Sequence, residues 1–260
     1  MELSEYLTAQ VVVWMLVLAR VSGIFLMAPV FASQQIPVQV RVMAALLFAA
    51  ALAPLATVPP MPAHIFALAL LLLREGLLGV ALGFVPALFF LAFQYAAELI
   101  DLQVGVGMGG WVDPTFRIQV SPLGNFQALL ATVLFLTLNG HHLLIEALAR
   151  SFRLIPLGSF SLNSSVAQGI TTLFGQVALF GIQVSAPILA VLLVTDIGMG
   201  ILGRAAPQIN LLIMSPSLKG LAALLALTLA LPLFTLLMGH LIAGMRDELF
   251  VVIRTGMAAR

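Results

Sequence analysis

Three stretches of this chain carry residue types that could do chemistry. The first is DLQVGVGMGGWVDPTF, residues 101–116. Gly105, Gly107 and Gly110 spell G-x-G-x-x-G, the spacing of a turn that cradles a dinucleotide pyrophosphate. That turn needs a strand before it, a helix after it, and an acid about 20 residues on for the ribose hydroxyls. Here the preceding residues, FLAFQYAAELIDLQ, are helical in character, Asp113-Pro114 follows, and the next acid after Asp113 is Glu146. The spacing is met and its context is not, so no nucleotide cofactor is expected.

The second stretch is NGHHLLIE, residues 139–146. His142 and Glu146 are four apart and share a helix face, which is half of a metal site. His64 and His240 stand alone and there is no H-E-x-x-H, so the expectation is a histidine pair at a helix end and no metal. The third is the set of serines in expected turns, such as Ser121-Pro122 and Ser215-Pro216. None sits in a G-x-S-x-G elbow, and the chain has no cysteine nucleophile. No P-loop is present either. The chemistry-bearing residues point away from an enzyme.

The glycine run needs another reason. Glycine lets a backbone take φ > 0 and approach its neighbours closely. Met108 and Trp111 are the large side chains that this run carries, with Val112 beside them, and such residues favour burial. Non-helical backbone at membrane depth is tolerated only inside protein or beside water. A loop lining a pore meets both conditions; a plain interhelical turn would need neither methionine nor tryptophan.

The elements that must hold these residues are set by composition. Of 260 residues, 62% are hydrophobic and 8% charged, at mean hydropathy +1.16. A soluble domain carries about 25% charged residues. The chain is therefore expected to be an all-α membrane protein, and its net charge of +1 gives no footprint for nucleic acid. The opening MELSEY is acidic and lacks a basic n-region, so the first helix is expected to be retained.

Apolar segments fall near 9–32, 38–58, 64–98, 123–149, 166–203 and 209–243, separated by turns such as SQQIP and TVPPMP and by the connector at 150–165. Segments 64–98 and 166–203 would each reach about 50 Å or more as straight helices, against an apolar core about 30 Å thick. They contain Pro86 and Pro187. Each is expected either as a tilted, kinked span or as a helix broken into a hairpin.

Arg20, Arg74, Glu75 and Asp196 lie inside these apolar segments. Each costs about 2.5–3.5 kcal/mol at a bilayer centre, so each should face a partner or a wet cavity. Arg74 and Glu75 are adjacent, about 100° apart on a helix, and should have separate partners. The loop cations, Arg41, Arg117, Arg204 and Lys219 against Arg150, Arg153, Arg246, Arg254 and Arg260, split without a bias that would fix orientation.

Several stretches in order, RVSGIFLMAPVF, GLLGVALGF, DLQVGVGMGGWVDP, LFLTLNGHHLLIEALARSF and RAAPQINLLIMSPSLKG, resemble the flagellar biosynthetic FliR family of the bacterial type III export apparatus. The resemblance covers nearly the whole chain; the SctT family of injectisomes is a close relative. It implies a single export-gate domain over residues 1–260, similar to a FliP-like part (1–160) joined to a FliQ-like part (161–260), with about six hydrophobic segments bent into hairpins. It further implies one copy of this chain in a complex with FliP and FliQ, with FlhB around its entrance, in the bacterial inner membrane at the flagellar basal body. The cargo would be unfolded flagellar subunits. The family's plug loop corresponds here to Gly105, Gly107, Met108, Gly109, Gly110, Trp111, Asp113 and Pro114. Relatives often have phenylalanines at the two bulky positions, so Met108 and Trp111 keep the size and change the shape. A small-solute secondary transporter would share the broken helices and buried charges, but should show an internal inverted repeat, and none is evident.

Overall fold

The computed structural model describes residues 3–33, 35–57, 61, 64–105, 122–160, 164–208 and 210–255. The protein is all-α. In chain order the helices are α1 (Leu3–Met27), α2 (Val38–Leu52), α3 (Ile65–Val104), α4 (Pro122–Thr137), α5 (Gly140–Leu154), α6 (Ser164–Ala205) and α7 (Leu211–Thr255), with a 3-10 turn at Ala53–Leu55. Five of these stretches are long and apolar enough to cross a membrane: Leu7–Met27, Val38–Leu55, Ile65–Val104, Phe174–Ala205 and Met214–Leu249. The α4–α5 pair makes a sixth if it counts as one bent span. Large apolar side chains such as Val38, Met43 and Leu47 on α2 and Leu229 and Leu236 on α7 are exposed. Faces of that size are stable only against lipid or another protein.

The two overlong segments are continuous helices. α3 has 40 residues with Pro86 inside it, and α6 has 42 with Pro187 inside it. Of the two expectations for these segments, the hairpin is not what forms: one proline removes one backbone bond, and the remaining bonds on either side keep the helix running. α7 is longer still, 45 residues with Pro216 and Pro232 inside. Ser215-Pro216, expected as a turn, and Lys219, counted with the loop cations, both lie within this helix. The break comes elsewhere, inside the segment expected at 123–149. Gly124–Thr137 and Gly140–Leu154 meet at 62°. The hinge is Asn139, whose φ of 59° and ψ of 26° are left-handed. Asparagine is among the few side chains that visit this region routinely, which is why the bend sits at Asn-Gly and not at a proline.

The chain forms two compact units, interleaved along the sequence. One comprises Met1–Phe89, Leu136–Phe174 and Ile242–Arg260; the other comprises Phe90–Phe135 and Gly175–Leu241. In the first unit Leu16, Val17, Val21, Leu78, Leu82, Leu144, Phe152 and Ile155 are buried. Helices α1 and α3 approach very closely there. A Cβ placed at Gly23 would lie 2.5 Å from the carbonyl oxygen of Gly76, and one at Gly79 would overlap the carbonyl oxygen of Arg20. Glycine at both positions is what allows backbone-to-backbone contact, the way small residues pack membrane helices. In the second unit Ala92, Phe93, Ala96 and Ile100 of α3, Val184, Ile188 and Leu192 of α6, and Leu227 and Phe234 of α7 are buried. Gly181 of α6 fits against Tyr95 and Ala92 of α3 in the same fashion.

Candidate functional site

A cluster of polar groups set among apolar helices lies in each unit. In the first, Arg20 projects from α1 and Glu75 from α3, both with fully buried side chains. The Arg20 Nε and Nη2 groups each lie 2.6 Å from Oε2 of Glu75. Nη1 donates to the Ser151 hydroxyl at 3.1 Å, and Nη2 to the carbonyl of Ile155 at 3.2 Å. The Ser151 hydroxyl in turn donates to the Leu148 carbonyl at 2.7 Å. The second carboxylate oxygen of Glu75 accepts the backbone N–H of Gly158 at 2.7 Å. Gly158 has φ +81°, and a Cβ there would meet Leu71 at 2.8 Å, so glycine is required in that turn. The Phe152 ring lies 4.4 Å below the guanidinium.

Chemically this cluster is closed. Each side-chain nitrogen of Arg20 and each carboxylate oxygen of Glu75 has a partner, which is the condition under which a buried ion pair is tolerated. Arg20 also caps the last turn of α5, whose final carbonyls would otherwise lack partners. It ties α1, α3 and α5 together and leaves no group free to attack or bind a ligand. Glu75 has Arg20 and the Gly158 N–H as partners, separate from its neighbour Arg74. Arg74 is exposed on α3 and makes no ion pair among the described residues.

The second cluster lies at the end of α3. The Gln103 side-chain amide donates to Oδ2 of Asp196 at 2.8 Å. Lys219 pairs with Oδ1 of Asp196 at 2.6 Å and donates to the backbone carbonyl of Gln103 at 3.2 Å. α3, α6 and α7 each supply one member. Val104 ends the helix, and Gly105 follows with φ +86°, its N–H donating to the Asp101 carbonyl at 3.0 Å. That is the left-handed glycine that commonly closes a helix. Of the candidate plug residues, Gly105 is thus placed as the helix cap. Gly107, Met108, Gly109, Gly110, Trp111, Asp113 and Pro114 lie outside the described residues.

Sequence reading missed Gln103, Ser151 and Gly158, and treated Lys219 as a loop cation. A polar residue in an apolar run was the available signal for Ser151 and Gln103. For Lys219 it was an opposite charge, Asp196, on the preceding helix of a hairpin. At the α5 start, the His141 and His142 rings lie 4.3 Å apart. The Glu146 carboxylate is engaged by Arg150 at 2.5 Å and Arg246 at 3.6 Å. Among the described residues no group of three or more His, Asp or Glu could hold a metal.

Comparison with known proteins places this geometry in context. Residues 11–245 match the family model described as bacterial export proteins, family 1. The chain is 30% identical over 224 residues to the flagellar biosynthetic protein FliR of Escherichia coli (strain K12), covering 86% of each chain. It is 30% identical over 230 residues to the protein of that name from Pectobacterium carotovorum subsp. carotovorum, covering 88% of each. Against that of Bacillus subtilis (strain 168) it is 29% identical over 209 residues, covering 79% of this chain and 81% of the relative.

Proposed function

The chain belongs to family 1 of the bacterial export proteins, the family of FliR, and from that membership we propose that it is a core subunit of the flagellar type III protein export gate. The carrying observation is the match over residues 11–245, whose bounds take in the Arg20–Glu75 staple, the Asp196–Lys219 cluster and the whole glycine-rich stretch. The role is structural and conductive, not enzymatic. It needs no cofactor.

In this reading one copy of the chain assembles with FliP and FliQ homologues in the bacterial inner membrane, within the flagellar basal body, and FlhB homologues border the cytoplasmic entrance. Residues 1–160 serve as a FliP-like part and 161–260 as a FliQ-like part, a division by likeness that is independent of the two compact units. Unfolded flagellar subunits pass outward through the assembled pore. The exposed apolar faces of α2 and α7 suit such an assembly, since a helix face uncovered within one chain can be covered by the next subunit.

Gly105, Gly107, Met108, Gly109, Gly110, Trp111, Asp113 and Pro114 form the plug of this gate. Apolar side chains at a constriction resist wetting, so Met108 and Trp111 block ions while the gate is shut. Gly105 is the pivot, because a left-handed glycine can change direction without steric penalty. Asp113 and Pro114 end the loop. The relatives' shared name, flagellar biosynthetic protein, favours the flagellar apparatus over an injectisome.

The test is solute entry into cells that overproduce the chain with its FliP and FliQ homologues. Met108→Ala combined with Trp111→Ala should make those cells leaky to ions and small molecules while the complex still assembles. Unchanged permeability would sink the plug role. A chain that transports a small solute after purification alone would overturn the export-gate reading itself.

A further inference from the structure

Gln103 is held twice: Asp196 accepts from its side-chain amide at 2.8 Å, and Lys219 donates to its backbone carbonyl at 3.2 Å. Asp196 and Lys219 are themselves paired at 2.6 Å. The holding point lies two residues before Gly105, where α3 ends and the candidate plug begins. The last carbonyls of a helix have no internal partner, and the negative end of the helix dipole favours a cation. The Lys219 ammonium, 15% exposed, answers both needs at once. Asp196 fixes that ammonium and, through the Gln103 amide, fixes the side chain as well.

We infer that Asp196 and Lys219 are positioning residues of the gate, which act through Gln103 to set the direction in which the chain leaves α3. They do not block the pore; they hold the root of the segment that does. The inference rests on the reading of the 105–114 stretch as a plug. It assigns different weights to the two charges. Without Lys219 both the ion pair and the carbonyl cap are lost. Without the Asp196 charge the ammonium still reaches the carbonyl, and an asparagine there still accepts from Gln103.

The chain has no cysteine, so a nitroxide label can be attached at one chosen position at a time. Leu102 is 72% exposed next to Gln103, and Leu47 on α2, 68% exposed, serves as control. The experiment uses the complex overproduced with the FliP and FliQ homologues, and reads label mobility and small-solute entry side by side. Lys219→Met should loosen a label at Leu102→Cys, leave one at Leu47→Cys unchanged, and raise solute entry several-fold. Asp196→Asn should do the same to a smaller extent, and Lys219→Arg should behave as the parent.

The inference is overturned if Lys219→Met changes neither reading, if the label at Leu47 loosens equally, or if the label at Leu102 loosens without any leak. Where Lys219→Met does not assemble, Asp196→Asn decides by the same two readings. The Met108→Ala, Trp111→Ala variant run in parallel separates the two levels. If that variant leaks and Lys219→Met does not, the plug stands and the positioning role fails. If neither leaks, both fail.

Discussion

Arg20 and Glu75 are 55 residues apart in the chain and bond at 2.6 Å with both side chains fully buried. Such a pair sets the register of α1 against α3 because among the described residues the carboxylate pairs with no other cation, and the guanidinium also reaches Ser151 in α5 and the Ile155 carbonyl at its end. A one-residue slip of either helix would leave a charge in apolar surroundings.

From that arrangement follows a non-additive stability pattern. Arg20→Met or Glu75→Met alone should each destabilise the protein by about 3–5 kcal/mol, because each strands its buried partner. The double variant should be less destabilised than the two singles summed, since no charge is then left unpaired. Some loss remains, because the Gly158 N–H and the Ile155 carbonyl lose their partners. Denaturation of the detergent-solubilised protein measures all three. Simple additivity would show that the pair is not coupled.

The close approach of α1 and α3 makes a second prediction. Gly79→Ala places a methyl group against the carbonyl oxygen of Arg20, and backbone cannot swing aside as a side-chain tip can. The loss should reach or exceed the usual overpacking range of about 1–3 kcal/mol. Gly220→Ala, on α7, meets nothing within 4 Å. It should be neutral or stabilising by up to about 1 kcal/mol, the helix-propensity difference between the two residues. Thermal melting of the two variants under one set of conditions tests the contrast; equal effects would contradict it.

The bend between α4 and α5 makes a third. Asn139 holds a left-handed conformation that costs ordinary side chains about 1–2 kcal/mol. Asn139→Gly should therefore melt close to the parent, and Asn139→Val should lose at least that amount. If valine is tolerated as well as glycine, the 62° bend does not depend on this residue.

Much of this architecture was legible along the chain. Few charges and long apolar runs allow only membrane helices, because backbone polar groups in lipid must be satisfied within the segment. Of the charges in those runs, Arg20 and Glu75 pair with each other and Asp196 pairs with Lys219. The break at Asn139 was not legible in the apolar pattern. A segment's apolar length reports what surrounds it, whereas a single left-handed residue redirects it without altering that pattern. The prolines gave the opposite lesson. Pro86 and Pro187 leave a kinked span and a broken helix equally open in the sequence, and α3 and α6 run through them as continuous helices.

Class, family and the positions where a charge needs an explanation are written along the chain. Which charge answers which follows from how the helices pack. Arg20 could have met Glu75 or Asp196 by spacing alone; it meets Glu75 because Gly23 and Gly79 let α1 and α3 touch at that level. Lys219 read as a loop residue until α7 carried it to the end of α3. Pairing depends on which helices become neighbours and on their axial offset, and both are set by the fit of side chains between helices, which no one segment encodes alone.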